Sequence, residues 1–235
     1  MNNNTKPDSK AAKKRLAKLA QSRQQSDRLI SAQPKNDQQA EALEVIKDNV
    51  ITIVNGVPGS GKTYLAITYA LELLLKNKTD RIILTRPYVE AGEKLGFLPG
   101  TFEDKTEPFM LPIMEILSAH LNKNEIEGLF SDGKITILPL AYMRGITFNN
   151  CFVILDEAQN ASKKQLHMFL TRMGENARAV ITGDVAQSDI GRASGLDDAI
   201  ERLEGIDNLG IVELDGQAIV RHPIVMAIDE RYAGT

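Results

Sequence analysis

The stretch Gly56-Val57-Pro58-Gly59-Ser60-Gly61-Lys62-Thr63 constrains this chain more than any other, because it fits G-x-x-x-x-G-K-[ST] at every defined position. That pattern has meaning only between a strand and a helix, and both are legible. Val50-Ile51-Thr52-Ile53-Val54 is β-rich, and residues 62–75 carry a helical pattern. Glycines let the backbone curl so that its amides face phosphate oxygens, and the helix N-terminus adds its positive end. In such a loop Lys62 reaches the β- and γ-phosphates of a bound nucleotide and the Thr63 hydroxyl ligates Mg²⁺.

Around this loop the chain alternates strands and helices. A helix is expected over residues 37–48, from the spacing of Ala40, Leu43 and Ile46. Strands follow at residues 81–85, 135–138, 152–155, 179–182 and 210–213, with helices expected at 107–121, 163–173, 195–204 and 223–232. This order, with the phosphate loop, predicts an α/β fold of the three-layer P-loop type, a mostly parallel sheet with helices on both faces. Ligands in such sheets bind beyond the carboxyl ends of the strands, so the chemistry is expected at strand exits. The longest irregular stretch, residues 86–106, holds Gly92, Gly96, Pro99 and Gly100 and is a candidate second site.

Length and charge divide the chain. Its 235 residues suit one α/β domain with a terminal extension. Residues 1–35 hold nine Lys or Arg against two Asp, a balance of +7, whereas the remaining 200 carry 19 basic and 29 acidic residues, a balance of -10. Residues 1–35 are therefore expected to form a basic flexible arm and residues 36–235 the folded domain. The arm reads either as a solvated tail or as an electrostatic contact for nucleic acid or an acidic partner. No apolar run nears the roughly 18 residues that span a bilayer, which predicts a cytoplasmic protein with no membrane partner. Cys151, the only cysteine, opens an apolar run and reads as a small buried side chain.

Two further strand exits carry polar groups suited to phosphoryl chemistry. Phe152-Val153-Ile154-Leu155 runs into Asp156-Glu157-Ala158-Gln159, where Asp156 can hold Mg²⁺ and Glu157 can orient and deprotonate the attacking water. Val180-Ile181-Thr182 runs into Gly183-Asp184-Val185-Ala186-Gln187, where Gln187 can bond the γ-phosphate or that water. Asn77-Lys78-Thr79-Asp80 spells the N-K-x-D pattern of guanine readers. It precedes the second strand instead of following a late one and fits a polar helix-to-strand connection, so ATP is the expected nucleotide.

With these residues in place the chain resembles the PhoH-like family, relatives of the first RecA-type lobe of superfamily 1 helicases. Beyond the loop and the Asp-Glu pair, the resemblance rests on Leu84-Thr85-Arg86-Pro87, Glu90-Ala91-Gly92-Glu93-Lys94-Leu95-Gly96-Phe97-Leu98-Pro99-Gly100, Pro139-Leu140-Ala141-Tyr142-Met143-Arg144-Gly145, Met168-Phe169-Leu170-Thr171-Arg172 and Val220-Arg221-His222-Pro223. The resemblance implies that Gln39 reads the adenine edge and that Arg86 and Arg144 contact a nucleic-acid backbone or a phosphate. Arg172 is a further candidate, and Arg221 is implied as a catalytic or intersubunit arginine. Each arginine also reads as a salt-bridged surface residue, and His222 reads as a packing residue at a helix start. One lobe of this kind lacks the partner lobe that closes on ATP. The resemblance therefore implies a homo-oligomeric ring, a hexamer favoured, with an arginine donated in trans.

The leading expectation is ATP hydrolysis coupled to binding or remodelling RNA or single-stranded DNA. Aromatic residues make up only 5%, and no stacking platform is apparent, so the nucleic acid is implied by the resemblance alone. The alternatives are a P-loop small-molecule kinase and a slow ATP-dependent switch for a protein partner. The pairing of Asp156-Glu157 with Gln187 is equipped to activate water, which a kinase must exclude.

Overall fold

The computed structural model describes residues 30–87 and 111–219, together with positions 224, 228 and 231. Its centre is a six-stranded sheet in the order β3-β2-β4-β5-β1-β6, made of β1 (Ile51–Gly56), β2 (Arg81–Thr85), β3 (Ile135–Ile137), β4 (Cys151–Leu155), β5 (Arg178–Gly183) and β6 (Leu209–Leu214). Every neighbouring pair is parallel. The helices are α1 (Asp37–Asp48), α2 (Lys62–Leu75), α3 (helical at 111–118), α4 (Lys123–Ser131), α5 (Lys163–Leu170) and α6 (Leu196–Leu203). The architecture is the expected α/β sheet with helices on both faces.

Strand periodicity explains the three layers. Val54, Ile82, Leu84, Phe152, Ile154 and Val180 point to one face and pack with Leu43 and Ile46 of α1, Leu65 and Leu71 of α2, Ile113 and Leu117 of α3 and Ile126 of α4. Ile53, Ile83, Val153, Leu155, Ala179 and Ile181 point to the other, against Leu166 and Phe169 of α5 and Leu196 and Ala199 of α6. Successive side chains on a strand alternate faces, so a strand buried on both sides reads as a continuous apolar run, as Phe152 to Leu155 does. Cys151 is buried at the start of that run, and burial pushes its thiol above the ordinary range, in keeping with a packing role.

Three local differences from the sequence expectations have identifiable causes. Helix α4 falls outside the expected helices, although Asn122 and Glu125 form a reciprocal capping box at its start. Helix α5 stops at Leu170, short of 173, and Met173 pairs in a parallel bridge with Phe148, where the chain enters β4. Burial also begins before residue 36: Ile30 and Ala32 join the core against α1 and α2, so the last residues of the expected arm belong to the packed body. The rest of that arm, residues 1–29, and most of the expected helix at 223–232 lie outside the described residues. Among the described residues, no helix is long and apolar enough to cross a membrane.

One polar anchor ties α1 to the sheet. The Arg178 Nη2 donates to the carbonyls of Ile46, Lys47 and Asn49 at 2.5, 2.6 and 2.8 Å, and Tyr69 lies 5.8 Å beneath the guanidinium. A cation on the last carbonyls of a helix satisfies orphan acceptors and complements the negative end of the dipole. Arg178→Ala is expected to cost about 2 kcal/mol, seen as a lower midpoint in urea unfolding with an unchanged slope.

Candidate functional site

All strands run the same way, so the exits of β1, β4 and β5 open on one edge of the sheet, as the order β4-β5-β1 requires. The turn after β1 is the glycine-rich loop. Gly59 and Gly61 have φ of +78° and +88°, the left-handed region that glycine occupies without strain. Gly56 has a different constraint, since a Cβ there would run into the Leu214 backbone and its Cβ. Val57 N donates to Leu214 O at 3.0 Å, which pins the loop to β6. Helix α2 begins immediately after Gly61 with no side-chain cap, so its first amides are left for an anion.

A cleft of about 300 Å³ lies over this loop. Pro58, Gly59, Gly61, Lys62, Thr63, Asp156, Glu157 and Gln187 all line it, so the structure gathers the three predicted strand exits at one place. The Lys62 ammonium donates to the carbonyls of Gly56 and Val57 at 2.6 and 2.9 Å, folded over the loop. Gln187 is exposed in the short turn Val185–Gln187. A narrow apolar crevice walled by Ile67, Leu84, Ile113, Ile137 and Pro139 lies alongside, but apolar walls are no place for phosphate charge.

Asp156 is the hub. Its Oδ1 accepts from Thr63 Oγ1 at 2.8 Å and from Thr182 Oγ1 at 2.6 Å. Its Oδ2 accepts from Arg86 Nε at 2.8 Å and also from Arg86 Nη2. The Asp156 side chain is 8% exposed and that of Arg86 17%, so the pair sits in a partly dry setting. The register explains the encounter: Leu155 pairs with Ile181 across β4 and β5, and Thr85 pairs with Leu155 across β2 and β4. The next residue out on each strand, Asp156, Thr182 and Arg86, must therefore converge.

Glu157 follows with φ of +55°, uncommon for a residue with a side chain, and is exposed to the cleft. Its Oε2 accepts from the buried Gln159 Nε2 at 2.7 Å.

The remaining predicted residues are placed differently. Gln39, 4% exposed, lies behind the loop: its Nε2 donates to Ser60 O at 2.8 Å and its Oε1 accepts from Lys35 N at 2.8 Å. In this arrangement its amide braces the loop and is not turned to a base edge. Arg86 is engaged by Asp156 and does not project outward as a backbone-contacting arginine would. Arg144 is exposed after the turn Leu140–Met143 and is not among the residues lining the cleft. Arg172 buries its Nε without a hydrogen-bond partner among the described residues. Arg221, His222 and residues 88–106 of the candidate second site lie outside the described residues. Asn77-Lys78-Thr79-Asp80 forms the turn between α2 and β2, at the end of the sheet away from the loop.

Thr182 and Gln159 have no role in the sequence reading. Thr182 is wholly buried at the end of an apolar strand, and a polar side chain in that position signals a specific partner. Gln159 is visible only as the fourth residue of Asp156-Glu157-Ala158-Gln159.

Residues 31–233 match the family described as PhoH-like protein. A PhoH-like protein of Mycobacterium tuberculosis is 46% identical over 202 residues, covering 85% of this chain and 57% of that protein. A PhoH-like protein of Bacillus subtilis is 47% identical over 196 residues, covering 83% and 61%. Protein PhoH of Escherichia coli is 41% identical over 191 residues, covering 80% and 54%. The chain thus spans between half and two thirds of the length of these relatives. Among solved structures, the large terminase of a thermophilic bacteriophage shares the fold with a TM-score of 0.51 and 14% identity, over 85% of this chain and 50% of that one. The glycine-rich loop, the parallel sheet that presents it and the match over residues 31–233 agree, and the chain belongs to the PhoH-like family.

Proposed function

We propose that this protein binds ATP with Mg²⁺ and hydrolyses it, and that turnover is coupled to binding or remodelling RNA or single-stranded DNA. The observation that carries the hydrolysis is the single cleft shared by Lys62, Thr63, Asp156, Glu157 and Gln187. Backbone amides of Gly59, Gly61, Lys62 and Thr63, at the open start of α2, bind the phosphates, and Lys62 moves from loop carbonyls to the β- and γ-phosphates. The oxygen donors Thr63 Oγ1 and Asp156 Oδ1, 2.8 Å apart, would hold a hard cation such as Mg²⁺. When bound, Mg²⁺ supplies charge neutralisation on the transferring phosphoryl group. Glu157 takes the proton of the attacking water, and Gln187 orients that water or senses the γ-phosphate.

The nucleic-acid partner and the homo-oligomeric ring, a hexamer favoured, come from the family resemblance, and the cytoplasmic location rests on the sequence's lack of a membrane-spanning apolar run. An arginine such as Arg221 would complete the site from a neighbouring subunit. Gln39 would read adenine after releasing Ser60 O.

The test is a phosphate-release panel run beside a native-mass measurement: no addition, RNA, single-stranded DNA, and small phosphoryl acceptors. Stimulation by a polynucleotide is the expected result. Acceptor phosphorylation would make the protein a kinase, and slow turnover indifferent to all additions would make it a switch. Full activity from a monomer would remove the intersubunit arginine.

A further inference from the structure

Gln159 lies two residues after Glu157, in the turn Ala158–Asn160, and is 3% exposed. Its side chain uses both ends of the amide: Nε2 donates to Glu157 Oε2 at 2.7 Å, and Oε1 accepts from Asp184 N at 3.1 Å. Its backbone carbonyl accepts from Ser188 Oγ at 3.0 Å. One buried amide therefore joins the exit of β4, which carries Glu157, to the exit of β5, which carries Gln187. Gly183 keeps room for it, since a Cβ at that position would stand 2.9 Å from Gln159 Oε1.

Packing alone does not call for an amide here, because burying one costs desolvation that an apolar side chain of similar size avoids. Glu157 needs what the amide supplies. It sits exposed at positive φ, where a free carboxylate would sample several rotamers. An N–H donated to Oε2 selects one of them and leaves Oε1 to accept a proton from water. The link to Asp184 N makes the same selection depend on the turn that carries Gln187.

We propose that Gln159 is a positioning residue for hydrolysis: its amide clamps Glu157 in the orientation that activates water and couples that orientation to the Gln187 turn. This rests on the reading of Glu157 as the base. The test compares Gln159→Leu with Gln159→Met, both neutral replacements that remove donor and acceptor, the second keeping the unbranched shape of the native side chain. Each is made in the parent chain and in Glu157→Gln, with kcat and KM for ATP, a fluorescent-nucleotide Kd and the melting temperature recorded.

The expected result is a Kd within about threefold of the parent and a kcat lower by about 10²-fold in both variants, the effect of a slight misplacement of a reacting group. Added to Glu157→Gln, either substitution should cost nothing further, because both act on one step. Gln159→Met is close in shape to the native side chain, adds no charge beside Glu157, and keeps the test readable if Gln159→Leu fails to fold. A kcat within about threefold of the parent in Gln159→Met overturns the proposal, as does a loss of equal size in the Glu157→Gln background. Parental turnover in Glu157→Gln alone would refute the base assignment itself, an outcome distinct from an inert Glu157→Gln beside a normal Gln159→Met.

Discussion

Glu157→Gln is expected to bind ATP with Mg²⁺ about as tightly as the parent chain and to cleave it about 10²–10⁴-fold more slowly, the usual contribution of a general base. The substitution is nearly isosteric, and Glu157 is exposed, so folding should be untouched. The new amide can still meet Gln159 through its oxygen, since Gln159 Nε2 is the donor in that contact. What disappears is the capacity to take a proton from water. The effect belongs in kcat with binding unchanged, the signature of an interaction made only in the transition state. Nucleotide affinity and single-turnover phosphate release measure the two halves, and a Glu157→Gln chain that turns over at the parental rate would sink the assignment.

Asp156→Ala is expected to fail on two counts at once. The carboxylate serves the Thr63 and Thr182 hydroxyls and the Arg86 guanidinium together. Without it, Arg86 loses its counter-ion in a setting where its side chain is only 17% exposed, and two hydroxyl donors lose their acceptor. Stranding one member of a buried pair costs about 3–5 kcal/mol, and residual solvent contact at Arg86 places the loss near the lower end. Mg²⁺-dependent turnover should fall by at least about 10²-fold in the same variant. Asp156→Asn keeps an acceptor for the hydroxyls but not the charge for Arg86, and is expected between the two. Urea unfolding and a Mg²⁺ titration of phosphate release separate these effects. An unfolding midpoint for Asp156→Ala equal to that of the parent would show that Arg86 and the hydroxyls find other partners at no cost.

Much of this architecture can be read from short windows of sequence. The run Phe152 to Leu155 announces a strand buried on both faces because both of its alternating sets are apolar, and the structure buries both. The span of α1 is recoverable from the spacing of Ala40, Leu43 and Ile46, since helical period is a local property. Helix α4 escapes because its apolar content is slight: only Ile126 and Leu129 are buried, and its best signal is the cap pair Asn122 and Glu125. Ile30 and Ala32 look like part of a polar arm because two isolated apolar residues carry no period. Their burial depends on a surface that α1 and α2 create together.

The phosphate loop is legible in the chain alone, because every requirement of that loop falls on consecutive residues. Glycines at 59 and 61 permit the left-handed turns, and Lys62 and Thr63 stand where the helix begins. Asp156 and Glu157 are likewise placed at a strand exit by local pattern, an apolar run followed by two carboxylates. What those groups touch is settled by the folded arrangement. Thr63 and Asp156 are 93 residues apart along the chain, Arg86 and Asp156 are 70, and Asp156 and Thr182 are 26, yet parallel register brings all three partners to one carboxylate. The same convergence turns Arg86 inward and sets Gln39 behind the loop. It also gives Gln159 a place between Glu157 and the Gln187 turn, because hydrogen bonds form across space between strand ends that no sequence window contains together.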